Sequence, residues 1–418
     1  QVGKTTLVKM FAEKFESYVY LDLENINDRE IFKENLNIQD IIRTISIRKN
    51  VSLTNGNVLL FIDEIQNSPY AVSLMRYFYE EVKNLFVIAA GSLLESMIGN
   101  RQVSFPVGRI EYLFLHPVTF EEYLNASGND ELLKVYHIIP FPDYAHETLL
   151  KLFHEYVMLG GMPEIVQNWI ENRDIVALNR IYRNLTTSYL DDVTKYARNQ
   201  NMIDIISHTI NTVPLAAGKR ITFQGFGNSN YRSREIGEAL RSLEKAMLID
   251  LVYPSTSIEI PIIPDKRKKP RLHFLDTGLI NYHVGLLDQF IGIDDISSLY
   301  KGKIIEHIIG QELKANFKNN PHKLSFWVRE KKQSQAEIDF ILTHKGSIIP
   351  IETKSGKEGK LRSLRVFMES SNNNIAIRFY AGKFLKQEIK LNSNKKFTLF
   401  NIPYYLAGKI EEYLEFLE

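Results

Sequence analysis

The sequence predicts an α/β protein of several domains: an N-terminal parallel-sheet core, a helical linker leading into a winged helix, and a C-terminal α/β domain. Three observations carry this expectation. Short apolar runs alternate with helix-spaced stretches over residues 1–125; two helical segments followed by a strand pair occupy 201–290; and two alternating strands, Glu337–Thr343 and Ser347–Lys354, follow a helical stretch in 300–418. Residues 126–200 read as the helical linker between the first two parts.

Composition narrows the function classes. The chain of 418 residues is long enough for two to four domains, and a hydrophobic fraction of 44% suffices to bury their cores. With 51 basic and 50 acidic residues there is no global pull towards nucleic acid, so any such surface must be a local patch. There is no cysteine, which excludes disulfides, Cys-ligated zinc, iron–sulfur clusters and thiol nucleophiles and suits a cytoplasmic protein. No apolar run approaches the roughly 18 residues of a membrane span, and no membrane partner is expected. The ten histidines show no metal-ligand spacing.

The first residues, QVGKTTLVKMF, fit the second half of a phosphate-binding loop, G-x-x-x-x-G-K-[ST]. Gly3, Lys4 and Thr5 take its last fixed positions, Thr6 follows, and the helix that starts there would present backbone N–H groups to phosphates. The first glycine of the pattern would precede Gln1. The sequence is therefore expected to be a fragment lacking the leading strand and the front of the loop, binding ATP poorly until these are restored.

The remaining elements of this core follow in order. Thr5–Phe15 has helical spacing, 18–24 reads as a buried strand, and a helix-rich stretch runs to Asn50. Then NVLLFIDEIQN places an apolar strand, Val58–Ile62, directly before Asp63-Glu64. An acidic pair at the C-terminal end of such a strand faces the phosphate loop in an open α/β sheet. The expected cofactors are ATP and Mg²⁺: Lys4 neutralises phosphate charge, Thr5 and Asp63 hold the metal, and Glu64 orients or polarises the attacking water. A third strand, LFVIAAGS at 85–92, ends in Ser92.

The segments GKTT, LLFIDEIQ, AAGS, GRIEYLFLHPVTFEEYL and LGGMPE together resemble a prokaryotic family of AAA-type ATPases in which this module precedes a C-terminal domain of unknown function. That resemblance implies a sensor role for Ser92 near the γ-phosphate. It implies for Arg109 the role of arginine finger or sensor arginine, and a finger would require a homo-oligomer. It also assigns the helices after 126 to a lid and linker.

In 201–290, helices at 201–213 and 233–247 precede strands at 248–254 and 271–279, the order of a winged helix. The run DKRKKPR between the strands places Lys266, Arg267, Lys268, Lys269 and Arg271 in the wing, where they would contact the phosphates of DNA or another nucleic acid. Winged helices also serve as protein-binding or packing modules.

In 300–418, a two-residue turn at Lys345-Gly346 sets Asp339 directly opposite Glu352, with Lys354 on the same face. Two carboxylates so close call for a divalent cation, and hard oxygen ligands favour Mg²⁺ or Mn²⁺, with the lysine beside it to position water or stabilise the transition state. This Asp…Glu-x-Lys hairpin resembles the PD-(D/E)XK nuclease superfamily, with Ile338-Asp339 in place of Pro-Asp. The resemblance further implies a glutamate on the preceding helix, for which Glu306 is placed suitably and Gln311 and Glu312 are alternates.

The function expected is thus an ATPase acting on nucleic acid, with Mg²⁺-dependent cleavage at Glu306, Asp339, Glu352 and Lys354. One rival is a nucleotide-gated interaction or signalling ATPase whose nuclease-like fold is inactive; another is an ATPase acting on protein partners.

Overall fold

A parallel three-stranded sheet organises the N-terminal part of the computed structural model, which describes residues 2–34, 36–91, 108–194, 197–287, 302–316, 324–330, 336–356 and 361–417. The chain divides into two units, Gln1–Leu115 with Lys245–Met247, and His116–Glu244 with Leu248–Glu418.

In the first unit, helix α1 (Lys4–Ala12) is followed by β1 (Ser17–Asp22), α2 (Ile38–Lys49), β2 (Val58–Asp63), α3 (Pro69–Glu81) and β3 (Leu85–Ala89). The sheet order is β1-β2-β3, and both pairings are parallel. All six residues of β2 are buried, as its apolar run requires of a strand covered on both faces. The period-2 alternation divides them between two cores: Val58, Leu60 and Ile62 pack with Ile38, Ile41, Ile42 and Ile45 of α2, whereas Leu59 and Phe61 pack with Val8 and Ala12 of α1. Asn37 caps α2, and Ser68 caps α3 by accepting from Ala71 N at 3.2 Å ahead of Pro69 at the first helical position.

The second unit contains all three stretches read as linker, winged helix and C-terminal domain. Helices α4 (Phe120–Ala126), α5 (Asp130–Tyr136), α6 (His146–Leu159), α7 (Pro163–Asn172) and α8 (Ile175–Thr194) lead to α9 (Gln200–Ala216) and α10 (Ser233–Lys245). The chain then forms β4 (Ile249–Val252), β5 (Pro254–Ser255), β6 (Arg271–Phe274), α11 (Thr277–His283) and α12 (Lys303–Asn316). The C-terminal part adds β7 (Phe326–Val328), β8 (Glu337–Ile338), β9 (Phe340–His344), β10 (Ser347–Thr353), α13 (Arg362–Ser370), β11 (Ile375–Tyr380), β12 (Leu385–Lys390), β13 (Lys396–Pro403) and α14 (Ile410–Phe416). A five-stranded mixed sheet runs in the order β12-β13-β11-β10-β9, with Leu364, Phe367 and Met368 of α13 packed against Ile341, Ile348, Ala376 and Leu399.

The strands after α10 pair as the sequence suggests: β4 and β6 are antiparallel, with Ile249 opposite Phe274 and Val252 opposite Arg271. The connection between them departs from a free wing. Pro254–Ser255 pairs in parallel with Phe326–Trp327, Thr256 O accepts from Trp327 Nε1 at 3.3 Å, and Ile258 and Ile262 pack against the core beneath the five-stranded sheet. The apolar residues of STSIEIPIIP draw this segment onto the C-terminal part.

Two buried carboxyls tie the second unit together. The double glycine of LGGMPE ends α6: Gly160 has φ +69, and a Cβ there would lie 2.2 Å from Asp276 Oδ1. That close approach lets Gly161 N donate to Asp276 Oδ2 at 2.6 Å while Asp276 also caps α11 through Leu279 N at 3.1 Å. Glu312 of α12 accepts from Phe120 N at 3.1 Å and from the Tyr156 hydroxyl at 2.7 Å, joining α4 and α6. Among the described residues no helix is long and apolar enough to cross a membrane.

Burial raises the Glu312 carboxyl from its ordinary 4.5 to about 7, against the opposing hydrogen bonds of Tyr156 and Phe120. Between those values the folded protein holds a proton that the unfolded chain has lost, so the contribution of Glu312 to stability falls as pH rises through this window. Glu312→Gln should remove that fall, gaining on the wild type by up to ~3 kcal/mol between pH 5 and pH 8. Urea unfolding of both proteins at the two pH values measures this, and equal pH slopes would contradict it.

Candidate functional sites

The first candidate site lies at the C-terminal end of β2. Gly3 adopts φ 87 at the N-cap of α1, so Lys4, Thr5 and Thr6 form the first turn of the helix. The parallel sheet brings this turn to the end of β2, where the Thr5 hydroxyl donates to Asp63 Oδ2 at 2.8 Å. Tyr20, at the same end of β1, donates its hydroxyl to the same oxygen at 3.3 Å. Burial, reinforced by the Asp63 charge, pushes the Tyr20 hydroxyl up, so it stays a donor. Asp63 is 5% exposed, and its Oδ1 accepts from Glu64 N at 3.1 Å.

Glu64 leaves the strand in the left-handed conformation, φ 49, turning the chain sharply after Asp63, and its carboxylate accepts from Gln66 Nε2. Thr5, Asp63 and Glu64 thus meet at the C-terminal end of β2, with Lys4 next to Thr5 in the first turn of α1. A hydroxyl and a carboxylate oxygen in mutual hydrogen-bond contact are the donor types that Mg²⁺ takes beside phosphate oxygens, and they fit it in kind.

Arg109 is not brought to this edge. Its Nε bonds to Glu80 Oε1 at 2.9 Å, and Arg76 engages the same oxygen. Because α3 connects parallel strands, it runs back from the Asp63 edge, and Glu80 lies roughly 16 Å along it from Pro69. A sensor role within the same chain is therefore not supported by the described arrangement. Ser92 lies outside the described residues.

The second candidate site is built by α12 and the β9–β10 hairpin. Lys345 and Gly346 both have positive φ, 40 and 80, the conformation of a tight hairpin turn, and this fixes the expected register from Ser347 opposite His344 to Ile351 opposite Phe340. The strand expected over Glu337–Thr343 is interrupted at Asp339, where Glu337–Ile338 turns away to pair with β7. Asp339 Oδ2 instead accepts from Thr353 N at 2.7 Å, which holds its carboxylate beside Glu352, and Lys354 Nζ bonds to Glu352 Oε1. Glu306 joins from the first turn of α12.

Arg271 corrects the reading of the basic wing. It is 5% exposed on β6 rather than in the loop. Its guanidinium pairs with Glu306 and Glu337, donates to Asp339 O at 3.0 Å, and lies 4.5 Å over the Phe326 ring. The reason is local: Pro270 ends the polar run, and Arg271 opens the strand RLHF, which is buried throughout. Lys266, Lys268 and Lys269 stay in the loop, whereas Arg267 folds back onto Asp265 at 2.9 Å. Arg220, which the sequence did not flag, bonds to Lys269 O at 3.3 Å and to Glu337 at 3.4 Å, linking the basic loop to the carboxylates.

Burial raises the carboxyls of Glu306, Asp339 and Glu352; Arg271 opposes the shift at all three, and Lys354 opposes it at Asp339 and Glu352. Among the described residues, no three His, Asp or Glu side chains are arranged to hold a metal ion. The carboxylates expected to hold Mg²⁺ are engaged by Arg271, Lys354 and Thr353 N instead, and in this arrangement they do not fit it.

Three family models match the chain. Residues 1–124 match an AAA domain, 150–289 a domain of unknown function (DUF8612), and 301–405 a second domain of unknown function (DUF4143). No curated protein matches. Among solved structures, the Walker-type ATPase of Pyrococcus abyssi is 14% identical over 68% of this chain and 88% of its own, with a TM-score of 0.42, too low to argue a shared fold. The motif geometry and the matching model agree that residues 1–124 form an AAA-type P-loop ATPase domain, joined in one chain to two domains of unknown function.

Proposed function

We propose that this chain hydrolyses ATP in its N-terminal domain and uses the cycle to act on nucleic acid held by its second unit. The contact between Thr5 and Asp63 carries the hydrolytic part. In this reading Lys4 neutralises phosphate charge, the N–H groups of the first turn of α1 bind phosphate oxygens, and Glu64 orients and polarises water. Thr5 and Asp63 would hold Mg²⁺, which when bound offsets the negative charge of the phosphates. Arg109, tied to Glu80 in its own chain, would act on a neighbouring subunit's nucleotide, so a homo-oligomer belongs to the proposal.

Exposed Lys266 and Lys269, with Lys268 between them and Arg220 alongside, support a nucleic-acid backbone as the partner. The hairpin register and Glu306 support a nuclease-like fold for the C-terminal part. A second reading, a nucleotide-gated interaction ATPase with an inactive nuclease-like fold, is favoured by Arg271, whose guanidinium engages Glu306, one of the carboxylates that cleavage would need.

Glu64→Gln should lower ATP turnover by about 10²- to 10⁴-fold while leaving nucleotide affinity nearly unchanged. Unchanged turnover would reject the assignment of Glu64. Replacing Lys266, Lys268 and Lys269 with serine should weaken duplex DNA binding and lower the slope of log affinity against log salt by about 2 to 3. An unaltered slope would remove the basic loop from the proposal. Cleavage of DNA or RNA with Mn²⁺ that disappears in Lys354→Ala would select the nuclease reading, and its absence on every substrate the second.

A further inference from the structure

The carboxylates of the C-terminal site come from α12 and the β8–β10 segment, but the cation seated among them comes from outside that fold, on β6. Arg271 has a side chain only 6% exposed, and its fork spans Glu306, Glu337 and the carbonyl of Asp339. The ring of Phe326 closes one face of the guanidinium. On the other side of the cluster, Glu352 is 7% exposed, and its Oε2 has no hydrogen-bond partner among the described residues. A buried carboxylate oxygen in that condition is one to which a cation can still be added.

We propose that this cluster is withheld from divalent cations by Arg271, which serves as a tethered counter-ion to Glu306 and Glu337 and holds the carbonyl of Asp339. The planar guanidinium satisfies several carboxylates at once, as a metal does, but it cannot exchange and it cannot activate water. Opening the cluster means removing the Arg271 guanidinium, which would leave Glu306 and Glu337 without their counter-ion. The closure is independent of whether the opened site cleaves anything, and of ATP turnover in the first unit.

The test uses the full chain carrying Asp63→Asn, so that the nucleotide site does not contribute, with Mn²⁺ alone as the probe. Mn²⁺ binding is measured by electron paramagnetic resonance in that parent, in Arg271→Met, and in Arg271→Met with Glu337→Gln, which removes one negative charge together with the positive one. The proposal expects at least tenfold tighter Mn²⁺ binding at one added site in both Arg271 variants, lost again when Asp339→Asn is added. Variants that fold only when Mn²⁺ is present would equally support it. Folded variants with the parent's Mn²⁺ affinity, added binding indifferent to Asp339→Asn, or variants that stay unfolded with and without Mn²⁺ would overturn it.

Discussion

A guanidinium buried among carboxylates joins the middle strand pair of the second unit to its C-terminal part. Arg271 can be 5% exposed only because Glu306, Glu337 and the Asp339 carbonyl surround it, and removing any of these would strand a charge in a poorly solvated place. Those partners lie on α12, β8 and the turn into β9, so one residue fixes the middle strand pair against the C-terminal hairpin. The segment that follows β4 reinforces the same junction through Pro254–Ser255 and the indole of Trp327.

Elsewhere in the unit the same economy recurs with single carboxyls. Asp276 and Glu312 are buried and each receives hydrogen bonds from two or more other segments, so the sequences LGGMPE, HPVTF and LDTGL meet around them. Sequence motifs of this sort attract functional interpretation, yet their described role is to satisfy backbone N–H groups where chain segments converge. In the first unit, by contrast, the polar groups gather at one sheet edge, where Thr5, Tyr20 and the backbone of Glu64 all turn to Asp63.

What could be read from sequence was local. The buried strand before Asp63 has an apolar run with no competing interpretation, and the Lys345-Gly346 turn determines its own register from Ser347 opposite His344 to Ile351 opposite Phe340. What could not be read depended on distant partners. The side chain of Asp339 takes Thr353 N and so breaks the strand in which it was placed; Arg109 reaches Glu80; the loop after β4 crosses to β7. Arg271 reads as part of the basic loop because a single position after Pro270 separates loop from buried strand, and a basic run offers no periodicity to mark that boundary.

The two sites differ in the partners of their carboxylates: Asp63 accepts from the hydroxyls of Thr5 and Tyr20, whereas Glu306 and Glu352 are paired with Arg271 and Lys354. Anomalous diffraction from crystals of the protein grown with Mn²⁺ and a non-hydrolysable ATP analogue would locate the metal directly. The account predicts a manganese peak between Thr5 and Asp63, and none among Glu306, Asp339 and Glu352 while Arg271 keeps its contacts. A peak at the C-terminal carboxylates with Arg271 still in place, or none beside Asp63, would contradict it.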